Sequence, residues 1–251
     1  MTIHPALVLV FSAAVAATIR RGSVRSVILL VGAVTSLVSC LGLTPGVALS
    51  FVFTAHRVDL LRVDPLSQVF GLIFTLITAI GFLYALHIRS RGEQVATALY
   101  AAGALGVVYA GDWITLFVSW EFMSLTSLIV IWSSDHERAR AAGFRYLLVH
   151  IAGGSLLFIG LMLLSSSGAG LGAVGLLAPD IGPAFWLILA GICINAAIPP
   201  VHAWLTDAYP EASVTGMVFL SAFTTKTAVY VLIRVFPGTE VLVWLGATAA
   251  V

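Results

Sequence analysis

Charged residues are scarce in this chain. Asp, Glu, Lys and Arg together make up 9% of its 251 residues, whereas hydrophobic residues make up 60%. Soluble globular domains carry about 25% charged residues, so this composition excludes an ordinary soluble fold. The net charge of +1 gives no indication of a nucleic-acid partner. The sequence predicts a polytopic protein of the lipid bilayer with no separate aqueous domain.

Motifs for cofactors are missing as well. The two cysteines, Cys40 and Cys193, lie far apart in apolar runs, a spacing that suggests neither a disulfide framework nor a zinc site. There is no glycine-rich dinucleotide loop and no P-loop, and no set of histidines is placed to hold haem. We therefore expect no cofactor, no metal and no catalytic chemistry in this chain, so that any coupled redox reaction belongs to other subunits.

Long apolar runs dominate what is present, and most approach the roughly 20 residues that cross a bilayer. They predict an all-α transmembrane bundle of about eight helices plus the start of a ninth. Residues 44–64 predict a short external hairpin. Two consecutive prolines, Pro199 and Pro200, remove two backbone donors and predict a break in the seventh helix, which either lines a hydrated path or is a simple packing kink. The predicted helices cover residues 5–19, 27–43, 65–86, 95–110, 113–132, 142–164, 184 to the break, and 213–234.

Arginines are distributed unevenly over the predicted loops. Residues 135–140 are predicted to be a cytoplasmic loop, as are the segments after the first and third helices. Cytoplasmic loops of membrane proteins are enriched in Lys and Arg, so the bias predicts an external N-terminus in a cell (inner) membrane. The inner group is Arg20, Arg21, Arg25, Arg89, Arg91, Arg138, Arg140 and Arg145, and the outer group is Arg57, Arg62 and Arg234.

Lysine occurs once, as Lys226, within the apolar run 214–233. An ammonium at bilayer depth costs roughly 2.5–3.5 kcal/mol, so it needs a partner or a task. Glu121, centred in the run 113–132, is the acidic residue at similar depth. Desolvation shifts both groups toward neutrality and mutual attraction shifts them toward charge, a balance that suits proton translocation. The alternative is a static buried ion pair that fixes helix packing.

Three further residues are candidates for moving protons or charge. His150 and His202 are predicted at membrane depth, where imidazole can accept and release protons at cellular pH. The alternative for each is a histidine that is hydrogen-bonded to a neighbouring helix. Arg145, one turn inside a predicted cytoplasmic loop, is a candidate for carrying charge between the inner surface and the buried pair.

Two long motifs resemble a known family. Residues 111–127, GDWITLFVSWEFMSLTS, are similar to the fifth-helix motif of the antiporter-like subunits of complex I, Mrp cation/proton antiporters and membrane-bound hydrogenases. Residues 198–212, IPPVHAWLTDAYPEA, and 224–234, TTKTAVYVLIR, resemble that family's broken seventh helix and its eighth helix. A weaker likeness begins at residue 63.

The resemblance implies a proton-conducting membrane subunit. Glu121 matches the family's fifth-helix glutamate, Lys226 its eighth-helix relay lysine and His202 the histidine after the break. The family's seventh-helix lysine falls on Asn195, which cannot hold charge. Lys226 or Arg145 then takes its role, or the pumping cycle is altered or lost. The resemblance thus leaves two functions open, a proton-conducting subunit of an Mrp-type or complex I-related assembly and a non-conducting structural subunit of such an assembly.

Length is the second departure from the family, whose members have about fourteen helices with two inverted five-helix repeats. The resemblance divides the chain into N-terminal helices with the hairpin (residues 1–94), one five-helix repeat (95–236) and the start of a further helix (237–251). It implies as partners other membrane subunits, including one that supplies the second repeat, and as transported ions protons, with sodium as a second candidate.

Overall fold

The computed structural model of the chain describes residues 3–53, 56–168, 170–178 and 182–249. These residues form a mostly helical bundle, as the composition predicts. Two strands, β1 (Gly46–Phe53) and β2 (His56–Val63), make the only sheet in the described ranges. The helices are α1 (Pro5–Thr18), α2 (Gly22–Leu41), α3 (Pro65–Tyr84), α4 (Arg91–Tyr109), α5 (Trp113–Trp132), α6 (Glu137–Ser166), α7 (Pro183–Asn195), α8 (Ala203–Ala208), α9 (Val214–Ala222), α10 (Thr224–Val235) and α11 (Glu240–Ala249).

Five segments of the described chain are long and apolar enough to cross a membrane. They are Gly22–Leu41, Pro65–His87, Trp113–Trp132, Glu137–Ser166 and Val214–Val235, and α1 and α7 are shorter apolar helices. The chain is therefore a multi-pass membrane protein. The eighth predicted helix corresponds to α9 and α10 together, with an interruption at Phe223 that the sequence did not predict.

The helix α4 lies at the centre of the bundle, packed against α1, α3, α5 and α10. Its glycines and alanines bring neighbouring helices close. A methyl group built on Gly103 would overlap the backbone of Met123 on α5, and one on Gly106 would overlap the Ser119 side chain. Small residues at such positions allow the close van der Waals packing that stabilises helix pairs in lipid.

The hairpin predicted for residues 44–64 is confirmed as the antiparallel pair β1 and β2. Strand β2 places Val58, Leu61 and Val63 in the core, whereas β1 is exposed along its length. The hairpin is tied to the start of α5, because the Asp59 N–H donates to Asp112 Oδ2 at 2.7 Å. It therefore closes one end of the bundle over α4 and α5.

The predicted loop at residues 135–140 is wrong, because α6 already begins at Glu137. His136 caps this helix by accepting a hydrogen bond from the Ala139 N–H at 3.0 Å. A side-chain cap satisfies one of the N–H groups that a helix start leaves free. The negative charge of Glu137 in the first turn also interacts favourably with the helix dipole. Residues 137–140, three of which are charged, therefore form the first turn of a membrane helix.

A histidine also caps the first helix. His4 is buried, its Nδ1 accepts from the Ala6 N–H at 3.0 Å, and its Nε2 lies 3.0 Å from the carbonyl of Leu60 on β2. Desolvation by burial is the main cause that lowers the pKa of His4 from 6.5 to about 4. The neutral ring therefore joins the start of α1 to the hairpin.

We expect acidification to weaken the contact that His4 makes between the start of α1 and the hairpin. The unfolded chain binds a proton at His4 below pH 6.5 and the folded chain only near pH 4, so stability falls as pH falls through this window. Protonated Nδ1 also loses the lone pair that caps Ala6. Amide hydrogen exchange of the first turn of α1, corrected for intrinsic rates, should show a smaller opening free energy at pH 5 than at pH 7. His4→Asn keeps a capping acceptor without titrating, so equal pH dependence in this variant would contradict the assignment.

Candidate functional site

The carboxylate of Glu121 lies against a glycine of the neighbouring helix. Asp112 starts α5 by accepting from the Thr115 N–H at 2.9 Å, and Glu121 follows between two and three turns later. A side-chain carbon built on Gly154 of α6 would overlap Glu121 Oε1, so in this conformation the acid occupies the space that glycine leaves open. Oε1 is enclosed and has no hydrogen-bond partner among the described residues.

A crevice of about 540 Å³ opens beside this carboxylate. Apart from Glu121 and the hydroxyl of Ser155, its walls are apolar and come from α5 and α6. Phe117 and Phe158 contact each other in its wall, with ring centroids 5.4 Å apart. The acid is therefore half-buried, with one oxygen inside the bundle and an apolar cleft beside it.

His150 lies one turn before Gly154 on α6, and it is buried as predicted. Its ring stacks on Tyr146 with centroids 3.8 Å apart and meets the edge of Trp204 at 4.7 Å. Nδ1 lies 3.0 Å from the Tyr146 carbonyl, which can only accept, so Nδ1 carries the proton of the neutral ring. Nε2 is then an acceptor, and it is enclosed with no partner among the described residues.

The seventh helix is interrupted, as Pro199 and Pro200 predict, but α7 already ends at Asn195. Asn195 is fully buried, and both its Oδ1 and its Nδ2 lack a partner in the described part of the chain. The adjacent carbonyl of Ile194 accepts a hydrogen bond from Trp204 Nε1 at 2.9 Å, across the interruption. The peptide bond between the two prolines is cis.

Glu121, His150 and the end of α7 at Asn195 all lie around one short stretch of α6. Gly154 faces Glu121, Gly153 packs against Ile194, and His150 packs against Trp204. The structure therefore brings Glu121, His150 and the end of α7 to residues 150–154. Three other enclosed polar atoms without a partner in the described ranges lie on the neighbouring helices α5 and α10, namely Trp120 Nε1, Ser124 Oγ and Thr227 Oγ1, and a fourth, Ser134 Oγ, lies in the turn after α5.

The expected burial of Lys226 is wrong for this chain, because its side chain is exposed. Thr224, Thr227, Ala228 and Val231 occupy the inward face of α10, and Lys226 points away from it. Its Nζ donates to Thr225 Oγ1 at 3.3 Å, and the described ion pairs do not join it to Glu121. The lysine therefore faces the surroundings of the bundle.

His202 is also exposed and lies at the start of α8, outside the cluster around residues 150–154. Arg145 makes a bidentate pair with Asp207, with Nε–Oδ2 and Nη2–Oδ1 distances of 2.7 Å. The hydrogen bond from Arg145 is the main cause that lowers the pKa of Asp207. No sequence pattern indicates this pair, whose members are 62 residues apart.

Comparisons with known proteins identify the family of the chain. Residues 110–248 match the family model described as NADH:quinone oxidoreductase/Mrp antiporter, TM. The chain is 30% identical over 195 residues to NADH-quinone oxidoreductase subunit N of Deinococcus radiodurans, covering 71% of this chain and 39% of that protein. It is 29% identical over 191 residues to Na(+)/H(+) antiporter subunit A1 of Staphylococcus haemolyticus, covering 70% and 24%.

A solved structure of the Mrp complex from Dietzia sp. DQ12-45-1b shares the fold, with a TM-score of 0.81 and 25% identity over 92% of this chain and 27% of that one. The chain thus spans well under half the length of these relatives. The matched region contains α5 to α10, which carry the enclosed polar atoms around Glu121, His150 and Asn195. This chain belongs to the NADH:quinone oxidoreductase/Mrp antiporter transmembrane family.

Proposed function

We propose that the chain is a proton-conducting subunit of a multi-subunit Mrp-type or complex I-related membrane assembly. The observation that carries the proposal is the set of enclosed polar atoms on four adjoining helices that have no partner within the described part of the chain, at Glu121, Ser124, His150, Asn195 and Thr227. Buried polar groups are almost always hydrogen-bonded, to protein or to ordered water. A file of water molecules between these atoms satisfies them and gives protons a path.

Each titratable member has a distinct task in this proposal. Glu121 holds and releases a proton between the apolar crevice and the interior. His150 offers Nε2 to a water and is held in that tautomer by the Tyr146 carbonyl. Asn195 orients water by one acceptor and two donors without taking a charge. Arg145, fixed on Asp207, and His202 act at the end of the path that the arginine bias places in the cytoplasm, opposite an external N-terminus.

Lys226 has a different place from the one that the sequence predicts. An exposed ammonium within a span costs roughly 2.5–3.5 kcal/mol in lipid, so in the membrane it requires a polar or acidic partner beyond the described bundle. We propose that this partner belongs to the assembly and that Lys226 passes the effect of a proton at the buried cluster to it. Protons are the transported ion, and sodium is the second candidate because one relative is a subunit of a Na(+)/H(+) antiporter.

A non-conducting structural subunit is the second candidate. The presence of Asn195 where the resembling family has lysine favours it, as does the separation of Lys226 from Glu121 in the described structure. In that role the buried polar atoms hold static waters, and replacing titratable groups leaves ion movement unchanged. The two candidates therefore differ in what a charge-removing variant does to flux.

Replacement of Lys226 by alanine tests the proposal in vesicles that contain the complete assembly. We expect proton flux to fall roughly fivefold, about 1 kcal/mol on the barrier, because the membrane-facing charge no longer responds to the buried cluster. Arg138→Ala removes a cation from the exposed first turn of α6 and serves as the matched control with unchanged flux. Unchanged flux in Lys226→Ala, in a correctly assembled complex, would favour the structural role.

A further inference from the structure

The span that carries Lys226 is interrupted one residue before α10 begins. In a continuous α-helix, the N–H of Thr224 donates to the carbonyl of Leu220. Here Phe223 has φ −112° and ψ −64°, and the Thr224 N–H donates instead to the hydroxyl of Tyr100 at 2.8 Å. The Leu220 carbonyl accepts from the Tyr209 hydroxyl at 2.8 Å. Both ends of the broken hydrogen bond are thus satisfied by tyrosines.

Tyr100 reaches this gap from the central helix α4. It is fully buried, and its ring packs edge-on against Phe223 with centroids 5.4 Å apart. Its hydroxyl lies 2.6 Å from Thr224 Oγ1 and 3.4 Å from the Leu220 carbonyl. A side chain that enters the hydrogen-bond ladder is a recognised cause of a local kink. The hydroxyl of Tyr100 is therefore the wedge between α9 and α10.

Every hydrogen-bond donor around the Tyr100 hydroxyl has an acceptor. A tyrosine hydroxyl has one proton to donate and lone pairs to accept with. It accepts from the Thr224 N–H, and its own proton goes either to Thr224 Oγ1 or to the Leu220 carbonyl. In both arrangements Tyr209 still bonds Leu220, so no group of the wedge is left without a partner.

We infer that Tyr100 is a positioning residue for Lys226. The hydroxyl of Tyr100 keeps α9 and α10 apart and so sets the direction in which the Lys226 ammonium leaves the bundle. Lys226 lies two residues beyond Thr224. Each helical residue turns the chain by about 100°, so an irregular residue at Phe223 changes the facing of every residue in α10. Removal of the hydroxyl lets the Thr224 N–H return to Leu220, which closes the helix and moves Lys226. The value of this position for ion movement rests on the proposed function.

The single lysine of the chain makes this inference measurable. In membrane vesicles containing the complete assembly, acylation by a small anhydride is quantified on the Lys226 peptide by mass spectrometry across a range of pH. We expect Tyr100→Phe, which keeps the ring and removes the hydroxyl, to change the acylation rate roughly threefold or more, because the ammonium then leaves the bundle in a different direction. Tyr109→Phe is the matched control, since it removes a buried hydroxyl from the same helix that contacts Cys40.

Tyr209→Phe gives a second, independent measurement. It removes the second donor to Leu220, so the carbonyl is freer to return to Thr224, and we expect a smaller change in the same direction. If Tyr100→Phe does not assemble, an unchanged profile in Tyr209→Phe overturns the inference. An unchanged profile in assembled Tyr100→Phe, or an equal change in Tyr109→Phe, overturns it as well. Because acylation requires no transport, a changed profile with normal proton flux would retain the positioning role and count against the relay role of Lys226.

Discussion

Replacement of Glu121 by glutamine is expected to reduce proton flux through the assembly by about a hundredfold, roughly 2.7 kcal/mol on the barrier. Glutamine has nearly the same shape, so it fits the space that Gly154 leaves, but it cannot bind and release a proton. One glutamate oxygen has no protein partner, so the amide also loses little hydrogen bonding within the described chain. The variant should therefore assemble normally and fail in transport.

The measurement is pH-jump proton flux in vesicles with the complete assembly, compared at equal content of assembled complex. Glu137→Gln is the matched control, because it makes the same substitution at the exposed first turn of the neighbouring helix α6. We expect the control to retain wild-type flux. A Glu121→Gln complex with flux equal to that of Glu137→Gln would rule out a proton path through this acid.

Replacement of Asn195 by leucine is expected to separate conduction from packing. Leucine has a similar size but no polar atom. Water molecules that the amide binds therefore lose their hydrogen-bond partner, and the proposed proton path at the end of α7 loses its water. We expect flux to fall about tenfold or more, at least ~1.4 kcal/mol on the barrier. Stability should stay unchanged or rise, because removing a buried polar group that has no partner among the described residues removes its desolvation cost.

Flux and thermal stability measured on the same preparation test this expectation. Ile192→Leu, at another fully buried position of α7, is the matched control, and a volume-conserving exchange there costs under about 1.5 kcal/mol. Normal flux in Asn195→Leu would assign Asn195 to packing and would support the structural role. A marked loss of stability would instead indicate that the amide bonds a partner within the assembly.

Hydropathy and helix-end signals predict most of the architecture. The bounds of Trp113–Trp132 are predicted to the residue because tryptophans mark both ends of α5. The hairpin and the interruption at Pro199 and Pro200 are also predicted correctly. The error at residue 137 arises because a run of charges is typical of a loop, although a histidine cap explains a helix start there.

The position of Lys226 shows a limit of what a hydropathy profile predicts. Such a profile gives the depth of a residue along a span and not the side of the helix on which it lies. The spacing of Thr224, Thr227 or Ala228, Val231 and Val235 marks the inward face of α10, and this signal is present in the sequence. By contrast, Tyr100 and Thr224 are 124 residues apart, and only the packing of α4 against α10 brings them together.

The interruption after α7 is held by side-chain hydrogen bonds at both of its ends. On one side the Ile194 carbonyl is bonded by Trp204, and on the other Arg145 of α6 holds Asp207 by two hydrogen bonds. A chain segment with both ends held keeps few degrees of freedom. The Ile194–Trp204 bond closes residues 194–204 into a loop, and the Arg145–Asp207 pair ties the residues just beyond it to α6, so a displacement of the prolines would strain these hydrogen bonds.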